Sequence, residues 1–364
     1  MKNFFLSLLL ITILQAGYSQ NNLKIFGHIT TGPELNRNIR LSNNSTRANY
    51  DRLLLKMNFG FKYLYDNFTF SGRVSTGNTG NQRSAYVDLG NHTFSQKSIF
   101  LDKAYIKYKH NGWIAWLGKN SINLWKTNEI LWDNDLKPEG VAMSKKLHFY
   151  GDYVPQFKIN TGYFLIGNNP YDSLQTPTTF ERQNNLSFFQ LQMSFNVNRH
   201  SFILSPAFMH ARLTKSLPYN MLAVMFRYTL FYRNRYYLYA NYYRNLNHYK
   251  NQNLIDPNLH NQKSGFDIGI NLPYQQFRLK LMYAYIEKYA VIDFLSQDNW
   301  LLPDFSQSHS GSNFKGWNAR LVYKINHNFS VIFNAWYAQQ IRQYTAQNGL
   351  FEATRMRLEF NFKF

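Results

Sequence analysis

Cysteine is absent from this chain of 364 residues. Its absence excludes a disulfide framework, a thiolate metal site and a lipid-modified cysteine anchor. Long apolar runs are scarce as well. The one at the start, Phe4 to Leu14, follows Lys2 and precedes the small residues of Gly17-Tyr18-Ser19, which predicts a secretory signal peptide over residues 1–19. That run is too short to cross a bilayer as a helix, and no later run reaches about 18 residues, so no transmembrane helix is expected. Acids are also in short supply: 20 Asp and Glu stand against 40 Lys and Arg, a formal charge of +20. A nucleic-acid binder gathers its bases on one helix or patch. Here they recur at alternate positions of extended segments, on one face of a sheet, and no nucleic-acid partner is expected.

Signatures of catalysis and metal binding are missing too. The ten histidines, among them His110, His148, His200 and His327, show no i,i+4 or clustered spacing, and turn chemistry accounts for them better. No Gly-x-Ser-x-Gly elbow occurs. Asp133-Asn134-Asp135 opens like a calcium loop but lacks the glycine at the sixth position and the glutamate at the twelfth. The chain is therefore expected to be no enzyme and to carry neither metal nor cofactor.

Aromatic side chains are abundant. They make up 18% of the chain, with 27 Tyr and 31 Phe, although the mean hydropathy is −0.44. Apolar and polar residues alternate almost throughout, as a wall between lipid and water requires. A secreted β-sandwich or β-helix is the plainer alternative. Short turn signals such as Tyr65-Asp66-Asn67, His110-Asn111-Gly112, Asp152 to Pro155, Val197-Asn198-Arg199, Tyr232-Arg233-Asn234, Pro273-Tyr274-Gln275 and Asn326-His327-Asn328 recur about every forty residues. Long polar segments lie between them, the first at about 32–50 and the last at about 339–351. Seven short turns and eight long loops join sixteen strands. The expectation is an all-β transmembrane antiparallel barrel over residues 20–364, with short periplasmic turns and long extracellular loops. A barrel of that size leaves an aqueous channel.

Parity then assigns faces. The bases Lys56, Arg73, Lys103, Lys107, Lys158, Arg227, Arg278, Lys280, Arg320, Lys324, Arg355 and Arg357 fall on inward rows, where too few acids are available to pair them. Their field favours anions in the lumen. The segments 141–150 and 235–243 do not sort cleanly, and a slip of one residue inverts every assignment in such a strand. The tyrosine-rich run Tyr236 to Tyr243 reads as an interface girdle, or as a surface for stacking sugars. One long connection, 121–139, differs from the rest. It mixes Trp125 and Trp132 with Glu129, Asp133, Asp135 and Glu139. Large apolar groups avoid water, so it is expected to fold into the pore and turn its acids towards the basic wall. Loop surface, or an Asx-turn at Asp133, is the plainer reading of each acid.

Residues 98–142 resemble the Putative porin family of Gram-negative outer membranes. The resemblance rests on Phe100 to Tyr108, then Trp116-Leu117-Gly118-Lys119, then Leu131-Trp132-Asp133-Asn134-Asp135-Leu136-Lys137-Pro138-Glu139-Gly140. It implies a porin-type barrel and passive transport. The C-terminal alternation Phe360, Phe362, Phe364 likewise resembles the signal read by the barrel-assembly machinery. The expected partners are that machinery, outer-membrane lipid and lipopolysaccharide, small hydrophilic anionic solutes, and a homotrimer as the candidate assembly. The favoured function is a diffusion channel with anion preference. A substrate-specific channel for sugars or oligosaccharides is the alternative, and an outer-membrane enzyme or adhesin with a filled barrel is a third class.

Overall fold

The computed structural model describes residues 22–40, 49–77, 86–89, 98–147, 155–166, 184–212, 218–230, 236–249, 257–293, 295–297, 299–300, 311–344 and 349–364. The expected signal peptide, His148 and the turns at 152–154 and 232–234 lie outside them. The strands are β1 (Leu23–Arg40), β2 (Tyr50–Tyr65), β3 (Phe68–Gly77), β4 (Val87–Leu89), β5 (Ser98–His110), β6 (Trp113–Lys119), β7 (Glu139–Leu147), β8 (Gln156–Ile166) and β9 (Asn184–Val197). They continue as β10 (His200–Arg212), β11 (Tyr219–Leu230), β12 (Tyr236–Asn245), β13 (Ser264–Tyr274), β14 (Phe277–Ile286), β15 (Phe314–Lys324), β16 (Phe329–Gln340) and β17 (Phe351–Lys363).

Every pairing is antiparallel, and β1 pairs with both β2 and β17, which closes the sheet. The short β4 only extends the edge of β2 above β3, through Leu53↔Leu89 to Leu55↔Val87. The molecule is thus a barrel of sixteen staves, and no helix occurs among the described residues. The alternation predicts this directly. Leu53, Met57, Phe59 and Phe61 of β2 are exposed on the outer wall, whereas Leu54, Asn58 and Gly60 are buried inside. The short turns work because their residues tolerate left-handed backbone: φ is 47° at Asp66, 45° at Asn111, 51° at Asn198 and 50° at Gln275.

Three expectations change. The first long loop was expected to begin at 32, yet β1 runs on to Arg40. Glu34 and Asn36 look like loop residues in sequence, but they are buried on the inner face. A polar lumen makes such residues strand residues. Second, β7 and β12 have definite registers: Ala142 and Ser144 face in from β7, and Tyr239, Asn241 and Tyr243 from β12. The tyrosine run is therefore split, with Tyr237, Tyr239 and Tyr243 inside and Leu238 and Tyr242 outside. Third, the interior is not evenly open. A continuous apolar cluster joins Trp116, Phe164, Phe188, Met221 and Met282 of the wall to Trp132, Leu136, Leu259, Ile292, Leu295 and Trp300 of three connections.

Candidate functional site

The connection between β6 and β7 leaves the wall at a pair of glycines. Gly118 and Gly140 are cross-strand partners with φ of 118° and 154°. A Cβ at Gly118 would lie 2.3 Å from the Ala104 carbonyl oxygen, and one at Gly140 2.2 Å from that of Tyr163. Only glycine fits at both points, where the chain turns inwards. Asn120 N donates to Pro138 O at 3.2 Å and closes the base.

Inside the barrel the segment is held from several sides. Trp116 Nε1 donates to Asn123 Oδ1 (2.7 Å). Gln190 of β9 clasps the Trp125 backbone, accepting from its N–H and donating to its carbonyl, both at 2.8 Å. Asn241 of β12 reaches Thr127 Oγ1 at 2.7 Å, and Asn128 donates to the buried Asp267 carboxylate of β13. Trp132 is buried beside Phe164, with ring centres 6.5 Å apart. From the opposite wall, Lys56 of β2 meets Asp135 Oδ1 at 2.6 Å. The β14–β15 connection adds backbone bonds, Asp133 N to Leu295 O (2.7 Å) and Gln297 N to Glu129 O (3.1 Å).

The four acids have separate places. Asp135 forms the cross-lumen ion pair. Burial alone would raise its pKa, but the charges of Lys56 and Lys137 outweigh burial and hold it below the usual carboxylate range. Burial pushes the Lys137 ammonium down. Asp133 is buried and accepts from Asp135 N at 2.7 Å, an Asx-turn. Glu129 accepts from Asn134 N (3.2 Å) and Asn134 Nδ2 (2.6 Å). Glu139 is a correction to the expected set. It begins β7 in the outward row of Val141 and Met143 and pairs with Lys119 at 3.0 Å, so strand parity takes it out of the lumen. Trp125 is half-buried and lies under the Arg227 guanidinium at 5.5 Å.

All twelve sequence-predicted bases stand on the inner rows of their strands. Four have acids: Lys56 with Asp135, Arg73 with Asp102, and Arg355 and Arg357 with Glu34. The other eight, Lys103, Lys107, Lys158, Arg227, Arg278, Lys280, Arg320 and Lys324, form no ion pair with any described residue. Lys103 instead donates to Ser121 Oγ at 2.8 Å. Sequence reasoning missed Glu34, which also holds Arg52 at 2.7 Å. It also missed Asp102, turned inwards by a register shift between Arg73 and Val74. Bulges leave no clear mark in alternation.

The model of the family described as Putative porin matches residues 21–207, just over half of the chain. The chain belongs to this family. The porin fold is shared with OmpF of Salmonella typhi, solved in complex with daunomycin, at a TM-score of 0.56 and 13% identity, covering 95% of this chain and 99% of that one. It is also shared with OprB of Pseudomonas putida, solved at high pH, at a TM-score of 0.58 and 8% identity, covering 96% of each. No curated protein matches the chain. Membership implies a channel in the Gram-negative outer membrane. Among the described residues no group of three or more His, Asp or Glu is placed to hold a metal ion.

Proposed function

We propose that this porin is a diffusion channel for small hydrophilic solutes, narrowed by the inward segment at about 121–139 and anion-preferring. The observation that carries the reading is the excess of inward bases: eight of the twelve have no acid in ion-pair reach among the described residues. In a water-filled lumen with a low-dielectric wall, such an excess concentrates anions and repels cations. The segment narrows the lumen because its tryptophans bury against one wall while Asp135 is tied to Lys56 of the other. The signal peptide at 1–19, delivery by the barrel-assembly machinery, contact with lipopolysaccharide and a homotrimeric assembly belong to the same proposal. They rest on Phe4 to Leu14, on Phe360, Phe362 and Phe364, on the exposed apolar wall and on the family, respectively.

Reversal potential in planar bilayers under a KCl gradient tests the selectivity. Replacing Arg278, Lys280, Arg320 and Lys324 by Gln is expected to move it towards cations. An unchanged potential would count against a lumenal field from these residues. The sugar-specific channel is the second reading, favoured by Tyr237, Tyr239 and Trp336 on the wall of one internal cavity.

A further inference from the structure

A cavity of about 260 Å³ lies between the 120–138 segment and the inner wall formed by β12, β14, β15 and β16. Its charged lining is Lys280 of β14 and Arg320 of β15, which are direct partners across the ladder, with Lys126 and Glu129 of the segment. Like charges at opposed positions repel, and neither group pairs with an acid among the described residues. The acid that shares the cavity, Glu129, accepts from Asn134 and forms no ion pair with either cation. Two half-buried cations side by side, with no acid in ion-pair reach of either among the described residues, are costly, and a bound anion offsets that cost.

The rest of the lining is unlike a simple ion site. Tyr237, Tyr239 and Trp336 bring aromatic rings, and several amide side chains bring paired donors and acceptors. Rings suit the apolar face of a pyranose, and amides suit its hydroxyls. Trp336 Nε1 and Asn334 Oδ1, on two buried lining residues, have no hydrogen-bond partner among the described residues, against the rule that buried polar groups are paired. The volume of about 260 Å³ sits just under the roughly 300–1,000 Å³ of small-molecule pockets, which suits one ring and not a chain.

We propose that this cavity binds one monosaccharide bearing a single anionic group, carboxylate or phosphate, with the anion between Lys280 and Arg320 and the ring among Tyr237, Tyr239 and Trp336. The site names the solute class of the anion-preferring channel and rests on that reading. Calorimetric titration of the whole barrel folded in detergent, with glucuronate, glucose 6-phosphate, glucose and acetate, tests it without reference to conduction. Glucuronate, glucose 6-phosphate or both are expected to bind saturably, with glucose and acetate weaker by about tenfold or more, the range of a charge-assisted hydrogen bond. Whichever anionic sugar binds identifies the carboxylate or the phosphate as the preferred group. Lys280→Gln and Arg320→Gln are each expected to weaken binding by about tenfold or more, whereas Lys315→Gln, on the outward row of the same strand, leaves it unchanged. Glucose binding as tightly as glucuronate would overturn the role of the charges. Acetate binding as tightly would overturn the role of the rings. Absence of saturable binding by both anionic sugars to the unaltered chain would overturn the site, and parallel bilayer conductance would show whether the channel reading survives.

Discussion

Single residues set how firmly the inward segment is held. Gln190 is buried and satisfies both backbone groups of Trp125 while accepting from Asn160 at 2.9 Å. Gln190→Ala would strand those groups at about 1–3 kcal/mol each. Open-channel current noise is expected to rise in that variant, with the heat-modifiable mobility of the barrel retained. The Lys56–Asp135 pair gives the segment a pH limit. Because the folded carboxyl sits below its ordinary value, its contribution is complete above an unfolded pKa of about 4. It is lost only as the pH falls through the lower folded value. Conductance is therefore expected to stay level from neutral pH down to about 4 and to grow noisy only in stronger acid. Asp135→Asn should be noisy throughout, and noise beginning well above pH 4 in the unaltered channel would argue against the pair as anchor.

At the scale of the element, two kinds of segment obey different rules. A strand such as β17 is stabilised by its ladder and by outer apolar residues, while its inner row is free to carry Arg355, Arg357 and Glu359. The 120–138 connection has no ladder and is held by burial. Ile130, Leu131, Trp132 and Leu136 are all buried, and each side chain of that size contributes about 1.5–3 kcal/mol. Deleting 124–136 is expected to raise single-channel conductance well beyond the effect of shortening 339–351. Equal effects from the two deletions would place the narrowest point elsewhere. The β14–β15 connection shares the load, since Leu295 and Gln297 bond to the segment and Asn299 Oδ1 accepts from Arg355 at 3.2 Å. In sequence it looks like one polar loop among eight, because its apolar residues lack a strand's alternation and its contacts are distant in sequence.

At the scale of the whole molecule, closure is the decisive event. The two ends of the sheet meet from His28↔Lys363 to Arg40↔Phe351. Phe364 N donates to Gly27 O at 3.2 Å, Gly27 N donates to Phe364 O at 3.0 Å, and the Phe364 ring covers Gly27. A barrel has no free edge once this seam forms. Deleting Phe364 removes the last rung and is expected to leave the chain unassembled in the periplasm. Normal yield of a heat-modifiable barrel would contradict that expectation.

Much was settled by local pattern alone. Alternation with period two states which residues face lipid, and turn residues state where the chain reverses, so the barrel, its sixteen staves and the inward rows of bases were legible in the sequence. The inward course of the 120–138 connection was also foreshadowed, because tryptophans beside acids make poor loop surface. What the sequence could not state depends on groups far apart in the chain. Glu34 meets Arg52 across the β1–β2 pair, but it gathers Arg355 and Arg357 only after the seam joins the first strand to the last. Lys280 and Arg320 become neighbouring cations only when the β14–β15 register sets them side by side. Glu139 leaves the lumen through strand parity, although it belongs to the same acidic motif. Local periodicity chooses a face for each side chain; closure of the sheet and packing of the connections choose its neighbours, and the charge of the lumen follows from the neighbours.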